Sequence, residues 1–344
     1  MKNILFICGS LNQTTMMHKI SKNFENKYKC FFSQYYTDGI LETARKAGLL
    51  NFTIMGGEFF RQTTEYLRDN NLEIDYRGSK NNYDLVFTCS DLIVPKNIRN
   101  TPTILVQEGM TDPENLMYYL VKYLRLPRFL ASTSTNGLSD MYDYFCIASE
   151  GYRELFISKG VKEEKLVVTG IPNFDDAGKF RDNNFPFHNY VLVATSDSRE
   201  TFKYENRKAF IKKAQTIAAG RQLIFKLHPN ENKEKATKEI KKYAPDALVY
   251  HSTDINPMIA NCSVLITRFS TVVYMGIALG KEVYSEFDLK MLYKLTPLQN
   301  GGMSASNIAE VGKHLLEGKS RSGVKELVFS GARPNNPQFS YSKV

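Results

Sequence analysis

Short apolar runs alternate with longer polar segments along this chain, and the alternation forms two separate series. Six runs occupy the first half: NILFIC (3–8), CFFSQYY (30–36), DLVFTC (84–89), TILVQE (103–108), YFCIAS (144–149) and KLVVTG (165–170). Five follow in the second half: YVLVATS (190–196), LIFKLHP (223–229), ALVYHS (247–252), VLITRF (264–269) and KEVYSE (281–286). This pattern is typical of parallel strands joined by crossover helices. The sequence therefore predicts an α/β protein with two doubly wound domains.

A polar stretch separates the two series. It reads DDAGKFRDNNFPFHN over 175–189 and is rich in Gly, Pro, Asn and charged side chains, which is typical of a linker. We therefore predict a first domain over 1–174, a linker over 175–189, a second domain over 190–320 and a C-terminal tail over 321–344.

Composition limits the kind of partner. The 344 residues are 42% hydrophobic and 24% charged, as in globular rather than disordered proteins. Lys and Arg number 45 against 36 Asp and Glu, and the net charge of +9 favours phosphate-bearing molecules, nucleic acid or an acidic membrane surface. The chain carries no recognisable RNA- or DNA-binding motif, so a nucleic-acid partner is not expected.

The cysteines and the first residues indicate a compartment. Five cysteines are widely scattered, and three of them sit in apolar runs, so we expect a reducing cytoplasm and no metal site. The apolar run in the opening MKNILFICGSLNQTT is too short for a signal peptide. No segment approaches the ~20 apolar residues that span a bilayer. We expect a cytoplasmic protein that does not cross a membrane.

Two places that follow strands of the second domain suit phosphate binding, because ligands of doubly wound sheets bind at the carboxyl ends of the strands. In TRFST, Ser270 or Thr271 would cap the next helix and help it bind phosphate, with Arg268 adding charge-assisted donors. The alternative is that Ser270 only caps its helix. In KLHPNEN, Pro229 would hold His228 at the strand end, where the imidazole can donate to a phosphate or act as an acid. The alternative is an uninvolved surface histidine.

The first domain offers a carboxylate and a glycine turn at its strand ends. Glu108 and Gly109 end a predicted strand, and Glu108 could act as a general base, although Asp112 and Glu114 compete for that role. The alternative is that Glu108 is an acidic N-cap or an exposed loop residue. Gly9 and Ser10 form a turn after the first strand where a ligand can approach the backbone. The turn is not a GxGxxG, so no dinucleotide cofactor is expected.

The order of these motifs carries a family resemblance. The glycine turn, QEG, VTGIPNFD, SDSRE, KLHPNEN and FSTVVYMGIALGK together resemble the GT-B architecture over about residues 1–320. That architecture, found in nucleotide-sugar-dependent glycosyltransferases and UDP-N-acetylglucosamine 2-epimerases, implies two Rossmann-like domains facing a cleft. The Glu-Gly, His-Pro and Ser-Thr motifs resemble those of bacterial polysialyl- and capsule transferases. The Lys-x-His-Pro form is also similar to capsular Kdo transferases and teichoic-acid glycerophosphotransferases.

The resemblance implies a role for each motif. Glu108 would be the catalytic base, and His228 would contact the donor phosphate and assist departure of the nucleotide. Ser270 and Thr271 would bind that phosphate. At the same nucleotide and phosphate site we also expect Ser196, Arg199, Lys226, Pro229 and Arg268. On the acceptor side we expect Gly9, Ser10 and Gly109. The implied reaction is a metal-independent, cofactor-free transfer from a nucleotide sugar, with a CMP-linked acid sugar favoured, to a glycan or lipid-linked acceptor in bacterial surface polysaccharide or glycolipid synthesis.

Two alternative activities stay open. A UDP-N-acetylglucosamine 2-epimerase would share VTGIPNFD, SRE and HPNEN, but the first turn reads CGSLNQT where an epimerase is expected to show Arg-Pro-Glu. The later turn reads TRFST where an epimerase is expected to show Ser-Gly. A CDP-polyol phosphotransferase is the other alternative.

The stretch NLMYYLVKYLRLPRFL (115–130) points to a membrane. It places Lys122, Arg125 and Arg128 among leucines and tyrosines, which suits an interfacial helix beside anionic lipid. A buried helix with basic side chains that reach out to solvent would have the same composition. Peripheral contact with the inner face of the cell membrane is therefore one of two interpretations.

Overall fold

A computed structural model describes residues 1–24, 27–51, 53–196, 205–228, 231–268, 270–318 and 329. Most of the predicted tail over 321–344 lies outside these residues. The described part of the chain divides into two compact units, one formed by residues 1–175 with 302–318, and the other by residues 176–301.

All eleven predicted strands are present. The first unit contains β1 (Asn3–Cys8), β2 (Lys29–Gln34), β3 (Leu85–Thr88), β4 (Thr103–Val106), β5 (Tyr144–Ile147) and β6 (Leu166–Val168). The second contains β7 (Val191–Ala194), β8 (Leu223–Lys226), β9 (Leu248–Tyr250), β10 (Val264–Thr267) and β11 (Glu282–Tyr284). Ten of the eleven strands end one to three residues before the carboxyl end of the corresponding apolar run.

The helices fall between the strands, as the alternation predicts. The first unit contains α1 (Leu11–Ser21), α2 (Gly39–Lys46), α3 (Gly57–Asp69), α4 (Leu116–Leu124) and α5 (Glu150–Lys159). The second contains α6 (Arg207–Ala218), α7 (Lys233–Tyr243), α8 (Ile255–Asn261), α9 (Val272–Ala278) and α10 (Leu289–Leu295). The last described helix is α11 (Ser304–Leu316). No described helix has the length and apolar character needed to cross a bilayer.

Each sheet is parallel and doubly wound. In the first unit the strand order is β2-β1-β3-β4-β5-β6, and in the second it is β11-β10-β7-β8-β9. The direction of winding reverses between β1 and β3 in one sheet and between β7 and β10 in the other. The predicted α/β fold class is confirmed. Ligands of such sheets bind beyond the carboxyl ends of the strands at these switch points.

The strands are apolar because helices cover both faces of each sheet. In the first unit the Phe6 ring stacks on Phe32 at 5.3 Å and on Phe87 at 5.0 Å between ring centroids. In the second, Val193 of β7 and Phe225 of β8 are fully buried in a cluster with residues of α6 and α7. Burial of each such side chain contributes roughly 1.5–3 kcal/mol. These two cores fix the strand ends on which the polar residues sit.

Helix α11 packs in the first unit, whereas the sequence analysis assigned residues up to 320 to the second domain. A Cβ on Gly312 would lie 2.8 Å from Phe87 Cζ, so a glycine lets this helix approach the phenylalanine core closely. At its start, the Ser304 amide donates to the buried Asp175 carboxylate at 2.9 Å. The chain therefore returns to the first unit after completing the second sheet.

Candidate functional site

Ser10 and Gly9 occupy the switch point of the first sheet, directly after β1. Ser10 has extended backbone angles (φ −83°, ψ 168°) and caps α1, because its Oγ accepts a hydrogen bond from the Gln13 amide at 3.2 Å. The same hydroxyl donates to Glu108 Oε1 at 2.9 Å. The structure therefore brings two predicted site residues, Ser10 and Glu108, into direct contact.

The Glu108 carboxylate is held by three neutral donors at the start of α1. Ser10 and Asn12 donate to Oε1 at 2.9 and 3.1 Å, and Gln13 donates to Oε2 at 2.5 Å. A carboxylate offers about four acceptor positions, so one on Oε2 remains for a substrate proton. The positive end of the helix dipole also favours an anion at this place. Glu108 is thus fixed in position yet keeps acceptor capacity.

Gly9 makes room for this arrangement. A Cβ at that position would overlap Gln13 Oε1 and lie 3.0 Å from Ile54 Cδ1. Thr63 Oγ1 also donates to the Gly9 carbonyl at 2.9 Å, which holds the turn against α3. The glycine is therefore needed so that Gln13 can reach Glu108, rather than for an unusual backbone angle.

Gln107 positions the loop that carries Glu108 and Gly109, and the sequence analysis missed it. Its side chain is only 3% exposed, accepts from the Ala148 amide at 2.9 Å and donates to the Gly109 carbonyl at 2.7 Å. Ala148 follows β5, so Gln107 joins the ends of two neighbouring strands. A polar side chain at the end of an apolar run was the signal that could have revealed it.

The VTGIPNFD motif supports the same site from the other side. Asn173 Nδ2 donates to the Asn12 carbonyl at 3.1 Å and to Asn12 Oδ1 at 2.5 Å, and Lys19 Nζ donates to Asn173 Oδ1 at 2.7 Å. Asn12 in turn donates to Glu108. The motif thus helps to orient one of the three donors to the carboxylate.

In the second unit, His228 follows β8, and the buried side chains of Thr195 and Glu231 hold its backbone. The His228 amide donates to Thr195 Oγ1 at 3.0 Å and to Glu231 Oε2 at 2.9 Å, while the Glu231 amide donates to the His228 carbonyl at 3.1 Å. Thr195, which follows β7, also donates its hydroxyl to Glu231. These hydrogen bonds hold the His228 backbone at the strand end. Neither Thr195 nor Glu231 was predicted as a site residue from the sequence.

A chain of alternating charges runs beside His228. Arg207 pairs with Glu231 and, at 2.6 Å, with Glu205, and these three side chains are at most 4% exposed. Arg268 Nη1 lies 4.0 Å from Glu205, and its Nε and Nη2 donate to Glu286 at 2.5 and 3.1 Å. Buried charges are tolerated only when they are paired. Arg268 is thus oriented by carboxylates on two sides, and the sequence analysis did not predict this network.

Lys226 is committed to the backbone. Its Nζ donates to the Leu227 and His251 carbonyls, both at 2.9 Å. Burial lowers the pKa of Lys226, since it removes water from the charged amine. These contacts link the ends of β8 and β9 and do not favour direct phosphate binding, which stays a prediction.

The hydroxyl pair precedes a short helix. Helix α9 has seven residues, and Thr271 at its N-cap position has helical angles and no side-chain cap bond. Ser270 Oγ accepts from the Val272 amide at 3.5 Å, which is long for a hydrogen bond. Ser270 is half-buried and Thr271 is exposed, whereas Ser196, beside Thr195 at the end of β7, is buried. Their phosphate-binding role stays a prediction.

Two predicted site residues, Arg199 and Pro229, lie outside the described residues. Within the described ranges, no group of three or more His, Cys, Asp or Glu side chains could hold a metal ion.

No protein-family model matches the sequence, and no curated protein matches it. Solved structures do match. S. aureus MnaA with UDP is 12% identical, with a TM-score of 0.56 over 92% of this chain and 97% of that one. The UDP-GlcNAc 2-epimerase of Neisseria meningitidis bound to UDP-GlcNAc is 14% identical, with a TM-score of 0.52 over 97% and 96%.

The wall teichoic acid polymerase TagF, in a crystal soaked with CDPG, is 11% identical, with a TM-score of 0.54 over 92% of this chain and 90% of that one. Identities this low show a shared fold alone. The chain has the GT-B type of α/β fold that its sequence predicts.

Proposed function

We propose that this chain is a metal-independent glycosyltransferase that uses a nucleotide-activated sugar. One observation carries the proposal: Ser196, His228 and Arg268 follow three neighbouring strands, β7, β8 and β10, at the switch point of a sheet with the strand order of nucleotide-binding domains. Solved structures of the same fold hold UDP or UDP-GlcNAc, which supports a nucleotide sugar as donor.

In the proposed reaction, the second unit handles the leaving group. Arg268, Ser270 and Thr271 would hold the donor phosphate, where negative charge grows as the bond to the sugar breaks. Arg268 suits this role because Glu205 and Glu286 orient its guanidinium before substrate binds, and preorganised donors stabilise developing charge most effectively. His228 would donate a proton to the departing phosphate oxygen.

The first unit would activate the acceptor. The acceptor oxygen attacks the anomeric carbon of the sugar, Glu108 takes the proton of that hydroxyl, and the nucleotide leaves with the electron pair of the broken bond. Glu108 Oε2 can accept one more hydrogen bond, which supports this role. A general base must accept a hydrogen bond from the group that it deprotonates. Gly9, Ser10 and Gly109 would line the acceptor side.

The Lys-x-His-Pro motif favours a CMP-linked acid sugar as donor, and surface polysaccharide or glycolipid synthesis as the pathway. The acceptor would be a glycan or a lipid-linked molecule, presented to a cytoplasmic enzyme at the inner face of the cell membrane. The positive net charge of the chain suits both the donor phosphate and that membrane surface.

Product analysis distinguishes this activity from its rivals. The purified protein is incubated with CMP-, CDP- and UDP-linked donors, with and without a bacterial glycolipid and oligosaccharide extract, and products are identified by mass spectrometry. If the chain is a transferase, nucleotide release should depend on the extract. Release should be lost in the His228→Ala variant and kept in the control His188→Ala, which alters an exposed histidine. Conversion of UDP-N-acetylglucosamine to its C2 epimer without acceptor would establish the epimerase instead. Release of CMP from a CDP-linked polyol would establish the phosphotransferase.

A further inference from the structure

The segment over 116–130, hereafter the docking surface, is unusually apolar on its outer side. It comprises α4 and the residues that follow, and it holds nine of the seventeen large hydrophobic side chains that are exposed in the described residues. Leu116, Tyr123 and Leu124 are 76%, 75% and 63% exposed. Monomeric proteins usually expose such side chains singly, so a cluster of this kind marks a site of interaction.

Helix α4 touches the rest of the first unit through few residues. Only Tyr118 and Val121 of this helix are buried, in a small cluster with Ala131 and the partly buried Leu138. An ordinary surface helix turns its apolar stripe inward and its polar residues outward. Helix α4 presents apolar side chains outward as well, so the interpretation of a buried helix is wrong.

All charged side chains of the docking surface are positive. Lys122, Arg125 and Arg128 lie within it, and it contains no Asp or Glu. Arg125 is exposed and ends α4 in a left-handed conformation (φ 53°), while Arg128 Nη2 donates to the Asp91 carbonyl at 2.8 Å. A partner must therefore accept apolar side chains and cations together.

We infer that the docking surface inserts into the headgroup region of an anionic lipid bilayer. Leucines and cations on one short helix suit a helix that lies in the plane of the membrane surface. The rings of Tyr119 and Tyr123 stack at 6.4 Å on the exposed side, and tyrosine favours the boundary between lipid and water. A second copy of this chain fits less well, because a symmetric contact would bring the same cations together without a carboxylate in the surface.

This inference rests on the proposed function where it concerns the acceptor. Leu116 is eight residues after Glu108, so the two lie no more than about 28 Å apart. Asp112 and Thr133 exchange hydrogen bonds of 2.9 and 2.8 Å, which tie the intervening loop to the residues just after the docking surface. Membrane binding would hold Glu108 near headgroups, which selects a lipid-linked acceptor over a free glycan.

Vesicle flotation tests the surface. Wild type should float with vesicles of phosphatidylcholine and phosphatidylglycerol in equal parts, and much less with phosphatidylcholine alone. The triple variant Leu116→Ser, Tyr123→Ser, Leu124→Ser should bind the mixed vesicles about tenfold more weakly or worse. The matched control Ile40→Ser, Leu49→Ser removes side chains that are 88% and 68% exposed elsewhere in the same unit, and it should bind like wild type.

The charge contribution is tested separately. Arg125→Gln should weaken binding to the mixed vesicles about fivefold and leave binding to phosphatidylcholine unchanged. Equal thermal midpoints of the variants and wild type would show that they are folded.

Three outcomes would overturn the inference. These are wild type that fails to float with the mixed vesicles, a triple variant that floats as well as wild type, and a wild-type dimer that becomes a monomer in the triple variant without vesicle binding. Nucleotide binding is measured on the same samples, so that the docking surface and the transferase are tested separately. Nucleotide binding without flotation rejects only the docking surface, and flotation without nucleotide binding rejects only the transferase.

Discussion

Ser10 Oγ donates to Glu108 Oε1 at 2.9 Å while it accepts the Gln13 amide at 3.2 Å. One hydroxyl thus caps α1 and holds the candidate base, so the start of the helix and the carboxylate are fixed relative to each other. This arrangement requires a small residue at Gly9, before the Ser10 cap, and a carboxylate at Glu108, just after β4. Both positions can be tested by single substitutions.

Glu108→Gln should lower kcat of the proposed transfer about 10²- to 10⁴-fold, the usual contribution of a general base. The amide keeps the size of the side chain, so the unfolding midpoint should change little. The matched control is Glu114→Gln, which alters an exposed carboxylate in the same loop and should leave kcat unchanged. Equal losses in both variants, measured by nucleotide release, would remove Glu108 from its role.

Gly9→Ala should reduce kcat without unfolding the protein. The added Cβ would displace Gln13 Oε1, the flexible end of a side chain, and so remove a donor from Glu108. We expect a loss of about 10- to 100-fold in kcat, in line with roughly 1.5–3 kcal/mol for one hydrogen bond to a charged group. Gly178→Ala, where the nearest atom is 3.9 Å away, is the control. Unchanged activity in Gly9→Ala would show that the Gln13 contact is dispensable.

The Arg207–Glu231 pair should stabilise the turn that carries His228. Arg207→Met should cost about 3–5 kcal/mol in urea unfolding, because it leaves the buried Glu231 carboxylate without its ion-pair partner. Glu231→Gln should cost less, since Arg207 keeps its pair with Glu205. The double variant should lower the free energy of unfolding by clearly less than the sum of the two single losses. The same cycle on Arg61 and Glu58, a surface pair, should show no measurable coupling. Additive losses at Arg207 and Glu231 would contradict the network.

The cysteines should react slowly in the native protein. Burial raises the pKa of the Cys8, Cys89 and Cys146 thiols, and that of Cys262 to about 12, so little thiolate forms at pH 8. Cys30 is half-buried and is the one thiol expected to react promptly with Ellman's reagent. All five should react in denaturant. Prompt reaction of several thiols without denaturant would show that the cores are less closed than described.

The strands could be predicted because parallel strands covered on both faces are apolar along their whole length, as in β1 and β7. The contact between Ser10 and Glu108 was foreseeable only as proximity at one sheet edge. The pairing of Arg207 with Glu231 was not, because these residues are 24 positions apart and arginine and glutamate side chains are usually exposed. The packing of α11 on the first unit also escaped prediction, since an amphipathic pattern does not identify what its apolar face covers.

The most direct measurement is a thermal-shift panel of CMP, CDP, UMP and UDP. The account predicts that at least one nucleotide raises the unfolding midpoint by several degrees, as expected at concentrations well above Kd, and a cytidine preference would favour the capsule-type donor. Ser270→Asp should abolish the shift by placing a negative charge at the proposed phosphate site, whereas Ser252→Asp, at an exposed serine of the same unit, should retain it. No shift with any of the four, or an unaltered shift in Ser270→Asp, would contradict the proposed nucleotide site.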